Sequence, residues 1–139
     1  MKIVVFGLFL VSAYIWYSFQ ANVTTAFNMQ QSNNVREVHM ITAEFKSTTS
    51  NGKEFEIYQF LPGTIYLKKG ERVNLTIYGV HGQEHPIKIE GTEIQATIKK
   101  GEKTIIPLQF EKEGVYRIIC TIHPTFESSG PMIAYIVVD

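Results

Sequence analysis

The chain has 139 residues, with 13 Lys+Arg against 13 Asp+Glu, so its formal net charge is zero. That length is enough for one domain with a real hydrophobic core, and the even charge balance, without a basic stripe, offers no footprint for nucleic acid. No low-complexity tract or internal repeat is present, and 45% hydrophobic residues is the composition of a folded chain.

The first segment, MKIVVFGLFLVSAYIWYSFQ, differs from the rest. After Lys2, the run from Ile3 to Phe19 carries no charge and approaches the length of a short membrane-spanning helix. Tyr14, Trp16 and Tyr17 lie at its outer end, where amphipathic rings favour a membrane interface. Gln20-Ala21 and Thr25-Ala26 are poor cleavage sites, so residues 1–20 read as an uncleaved hydrophobic anchor helix in preference to a cleaved signal sequence. Lys2 on the cytoplasmic side leaves the remainder outside, at the cell surface or in the periplasm. Residues 21–35 are polar and uncharged and read as a linker.

From residue 36 onward the pattern is β. Runs of Val, Ile, Thr, Tyr and Phe alternate with polar residues, and glycine-bearing turns separate them. Strands are expected at 37–46, 55–60, 64–68, 72–78, 85–90, 94–98, 103–110, 114–120 and 132–138. Turns are expected at Ser50-Asn51-Gly52-Lys53, Lys69-Gly70-Glu71, Lys100-Gly101-Glu102 and Lys112-Glu113-Gly114. The fold class is all-β, an antiparallel Greek-key β-sandwich over residues 36–139.

Strand parity picks out candidate functional residues, because successive side chains point to opposite faces. Tyr116, Ile118 and Cys120 share one face of GVYRIIC, with Arg117 on the other. His85, Ile87 and Ile89 share a face of HPIKI, and Met132 shares one with Ala134, Ile136 and Val138. His85, Cys120 and Met132 each extend a core-facing row at a strand end, and His123 lies in the loop between Cys120 and Met132. Cys120 is the only cysteine. In an exported protein an unpaired thiol pairs with another molecule, stays buried or ligates a metal. Thiolate, two imidazoles and a thioether form a soft N/S set suited to copper. His81 competes with His85 for the first position, and His39 reads as a surface or packed histidine. For the fourth position Glu127, a backbone carbonyl or no ligand remain open beside Met132.

The sequence EHPIKI around His85, the Cys120-Thr-Ile-His123 motif, and MIAYIVV after Met132 resemble the small blue copper proteins, the cupredoxins. The GVYRIIC approach to the cysteine and the KKGERVNLTIYG strand before the first histidine add to the likeness, which covers roughly residues 53–139. An anchor followed by such a domain is also similar to cytochrome c oxidase subunit II, but that protein's two-copper centre needs two cysteines and this chain has one. The resemblance implies one type 1-like copper ion, held by His85, Cys120 and His123 with Met132 on the axis. It also implies single-electron transfer between redox partners at the membrane surface. Copper delivery by the same ligands, or a metal-free interaction module, are the alternatives. No Ser/His/Asp set or nucleotide loop suggests an enzyme. One departure stands out: eight residues, PTFESSGP, separate His123 from Met132, more than the family's usual spacing.

Overall fold

The computed structural model describes residues 35–139. The expected anchor, and all of the expected linker but Val35, lie outside the described residues. Among those described, no helix is long and apolar enough to cross a membrane.

Nine strands follow in order: β1 Arg36–Thr48, β2 Glu54–Leu61, β3 Thr64–Leu67, β4 Val73–Tyr78, β5 Glu84–Ile89, β6 Gln95–Lys99, β7 Lys103–Leu108, β8 Gly114–Cys120 and β9 Ile133–Val138. Each matches an expected strand to within about two residues, the usual uncertainty of strand ends. They form a four-stranded sheet, β2-β1-β4-β7, and a five-stranded sheet, β3-β9-β8-β5-β6. The residues that alternate inward from both sheets make one apolar core.

One expectation is corrected. The sandwich is mixed, not purely antiparallel: β1 runs parallel to β4, and β3 parallel to β9. Alternation of apolar and polar residues is the same in both pairings, so it carries no information on strand direction. Direction is set by the connections. The chain leaves β2 for β3 in the other sheet and returns as β4 beside β1, pointing the same way.

The faces read from parity hold. Ile118, Cys120, Ala134 and Ile136 are fully buried and Ile87 and Ile89 nearly so, while Arg117 and Lys88 are exposed. Burying an Ile side chain contributes roughly 1.5–3 kcal/mol, so the inner rows of β8, β9 and β5 are a main source of stability. Replacing Ile118 by Ala should cost about 2–5 kcal/mol in chemical denaturation. The same truncation at Val115, 63% exposed on the same strand, should stay within about 0.5 kcal/mol. Similar losses at both positions would contradict the burial pattern.

Candidate metal centre

Three adjacent strands bring the predicted ligands to one end of the sandwich. β8 pairs antiparallel with both β5 and β9. The registers Ile87↔Cys120 and Ile119↔Ile133 place His85 and Met132 beyond the last paired positions flanking Cys120. The Cys120 N–H donates to the Met132 carbonyl at 3.0 Å, so strand pairing continues through the cysteine. His123 follows on the β8–β9 loop.

The eight-residue insertion folds locally into a compact turn. It contains a short 3-10 segment, Phe126–Ser128, and closes with the Gly130 N–H donating to the Thr125 carbonyl at 2.8 Å. The Met132 N–H then donates to the His123 carbonyl at 2.9 Å, returning the chain to the cysteine strand. Gly130 is required here: a Cβ would lie 2.0 Å from the His123 carbonyl oxygen. The Tyr58 N–H on β2 donates to the Ser129 carbonyl at 2.8 Å and ties the turn to the opposite sheet.

Three donor atoms converge. His123 Nδ1 lies 3.3 Å from Cys120 Sγ, His85 Nδ1 lies 3.8 Å from it, and the two Nδ1 atoms are 3.2 Å apart. His85 Nε2–H donates to the His81 carbonyl at 2.9 Å. A carbonyl can only accept, so in neutral His85 the proton is on Nε2 and Nδ1 is a bare lone pair. Gly82 makes that approach possible, since a Cβ there would lie 2.2 Å from His85 Nε2. Tyr58 packs its ring against both imidazoles, with centroids 5.1 Å from His85 and 4.8 Å from His123. Ligand bonds of about 2.0–2.3 Å at open angles give donor spacings of roughly this size. A single ion can therefore satisfy all three atoms.

Solved structures similar to this fold include copper proteins. The multicopper oxidase mgLAC aligns at 17% identity and a TM-score of 0.59, over 76% of this chain and 39% of its own. The copper nitrite reductase from Nitrosomonas europaea aligns at 16% and 0.58, over 76% and 42%. The Cu-containing nitrite reductase from Thermus scotoductus aligns at 16% and 0.57, over 76% and 28%. At such identities the likeness shows the fold alone, and the chain spans less than half the length of each of these proteins. No curated protein matches the chain by sequence. The decisive match is that residues 9–134 fit the cupredoxin-like domain family. The chain belongs to the cupredoxin-like family.

The donor set of this cupredoxin is compatible with a copper ion, being one thiol and two imidazoles around a single point. Burial raises the Cys120 thiol above its ordinary 9.0, partly offset by backbone N–H groups of Ile122 and His123. Burial also pushes the His123 imidazole below 6.5, as does the facing His85, against a smaller opposing effect of Glu56. At neutral pH the thiol is thus protonated and His123 is neutral. The Tyr58 phenol, hydrogen-bonded to Glu56, is pushed up to about 12 and stays protonated beside the imidazoles.

The other candidates separate clearly. Met132 is completely buried next to Cys120. Glu127 is exposed on the insertion turn and is not part of the cluster. His81 contributes its backbone carbonyl, while its exposed ring lies 3.3 Å from Glu44. His39 stacks on Tyr78 on the outer surface, at 5.9 Å between centroids. Tyr58 was not legible as part of the site: it lies far from Cys120 in sequence, in the opposite sheet, and no motif surrounds it.

Because the thiol is protonated at neutral pH, copper must displace its proton, and affinity should rise with pH. Between pH 7 and 8 His123 is already neutral and adds no second proton. We expect about one proton released per ion and about a tenfold gain in affinity per pH unit. Calorimetry in buffers of different ionisation enthalpy measures this, and binding without proton release would show that the thiolate is not engaged.

Proposed function

We propose that this cupredoxin is a mononuclear copper protein that carries single electrons between redox partners at a membrane surface. His85 and His123 would hold the ion through Nδ1 and Cys120 through its thiolate, with Met132 as the proposed thioether ligand. The observation that carries this reading is the convergence of a bare His85 Nδ1, the His123 Nδ1 and Cys120 Sγ within 4.8 Å. Bound copper supplies a one-electron Cu(II)/Cu(I) couple.

The chain's part is to hold the ligands still. Cys120 and His85 sit on paired strands of the five-stranded sheet, and the loop with His123 is pinned at both ends by backbone hydrogen bonds. Ligands held this way move little between oxidation states, which keeps the barrier to electron transfer low. His123 is partly exposed, and Ile122 before it and Phe126 on the turn that follows are 47% and 52% exposed. This apolar rim is a small docking patch, as suits a carrier that must release its partner quickly. Residues 3–19 are the anchor that keeps the domain on the extracytoplasmic side of the membrane.

Adding Cu(II) to the purified chain should produce an intense visible thiolate-to-copper band with a reversible couple and fast self-exchange. Cys120→Ser should abolish the band. Met132→Leu should keep it and shift the potential. A colourless chain that hands Cu(I) readily to an apo-acceptor would instead identify a copper-delivery protein, and a chain that binds no copper an interaction module.

Anchoring is tested in cells. The full chain should resist alkaline extraction from membranes, with its C-terminal domain open to added protease from the outer side. Release by alkali, or protection from external protease, would overturn the placement.

A further inference from the structure

One buried hydroxyl near the centre has a bonding pattern that packing alone does not require. Thr42 lies in the middle of β1, in the sheet opposite the ligand strands, and is fully buried. Its Oγ1 accepts from the Val80 N–H at 2.9 Å and the His81 N–H at 3.1 Å, and donates its own proton to the His81 carbonyl at 2.8 Å. A hydroxyl has one proton and two lone pairs, so this one is saturated. One oxygen thus pins three consecutive peptide units of the β4–β5 loop.

The same His81 carbonyl accepts the Nε2–H of His85 at 2.9 Å. Its two lone pairs are therefore divided between Thr42 and His85. Backbone hydrogen bonds hold the loop at its ends, from the Gly79 N–H to the Glu102 carbonyl and from the Lys100 N–H to the Gln83 carbonyl, both 3.0 Å; between them Gly82 follows the carbonyl at φ +77°, where glycine has few steric limits on turning that peptide. If the carbonyl turned away, His85 would lose the acceptor that holds its proton on Nε2. The proton could then move to Nδ1, and the nitrogen facing Cys120 and His123 would no longer offer a lone pair.

We propose that Thr42 is a positioning residue for His85. Its hydroxyl orients the His81 carbonyl, which keeps the imidazole in the Nε2–H tautomer with Nδ1 bare toward Cys120. The connection to metal binding rests on the function proposed above, whereas the tautomer is a property of the metal-free chain and is measured there.

The test compares the full chain with Thr42→Val, which keeps the shape and removes the hydroxyl, and Thr42→Ser, which keeps the hydroxyl. In the metal-free protein, nitrogen-15 shifts of the His85 ring should report Nε2–H in the parent and in Thr42→Ser, and a mixture of tautomers in Thr42→Val. The Val80 and His81 amides should exchange about tenfold faster or more in Thr42→Val. Its Cu(I) affinity should fall by about 10–100-fold, as when a partner of a ligand is lost, and return nearly to the parent value in Thr42→Ser. A Thr42→Val chain with faster loop exchange, an unchanged Nε2–H tautomer and unchanged affinity would reduce Thr42 to a loop fastener and overturn the proposal. So would an Nδ1–H tautomer in the parent. Should Thr42→Val not fold, the parent decides: the His85 Nε2–H should exchange with solvent in step with the Val80 and His81 amides, and free exchange of the ring proton beside protected amides would overturn the inference. A parent chain that binds no copper would defeat the proposed function and leave the tautomer measurement standing as the test.

Discussion

The structure of the site depends on the register of three neighbouring strands. β9, β8 and β5 are adjacent and paired so that the ends carrying Met132, Cys120 and His85 lie at the same end of the sheet. A slip of one residue in β8 would turn Cys120 to the outer face and Ile119 inward, because strand side chains alternate. Burial of Ile118 opposes such a slip, since it would turn Ile118 out of the core and the exposed Arg117 into it. The core that stabilises the sandwich is thus the same device that aims the donor atoms.

The second sheet shapes the surroundings of the site. Tyr58 on β2 covers both imidazoles and its amide holds the insertion turn. Thr42 on β1 reaches the loop before β5. Ligand strands and supporting strands lie in different sheets, so packing between the sheets is what joins them. Burial has an electrostatic consequence as well: it keeps the thiol protonated and His123 neutral. Neither group therefore adds an unpaired buried charge when no metal is bound, which would otherwise be costly.

Much of this was readable along the chain. Parity alone put His85, Cys120 and Met132 on core-facing rows, and a lone cysteine three residues before a histidine marked the loop. The long insertion left the position of Met132 open, and the structure answers that with a local turn. PTFESSGP closes on itself through Thr125 and Gly130, so its length does not displace the residue that follows. Strand direction is not legible in the sequence, because alternation is identical in the parallel β1–β4 and β3–β9 pairs and in the antiparallel ones. The sequence offers His81 as a ring ligand. Its role is carried by a backbone carbonyl, which no side-chain pattern can encode.

The sequence by itself determined the all-β class, the strand positions, the inward rows and the short list of donor side chains. These follow from local rules: side-chain alternation, turn chemistry and the coordination preferences of thiol and imidazole. Only the tertiary structure decided which way β4 and β9 run, which nitrogen of His85 is bare, and that Thr42 and Tyr58 stand beside the centre. Those depend on contacts between residues distant in the chain, where distance and direction are set by the packing of two sheets and leave no periodic trace.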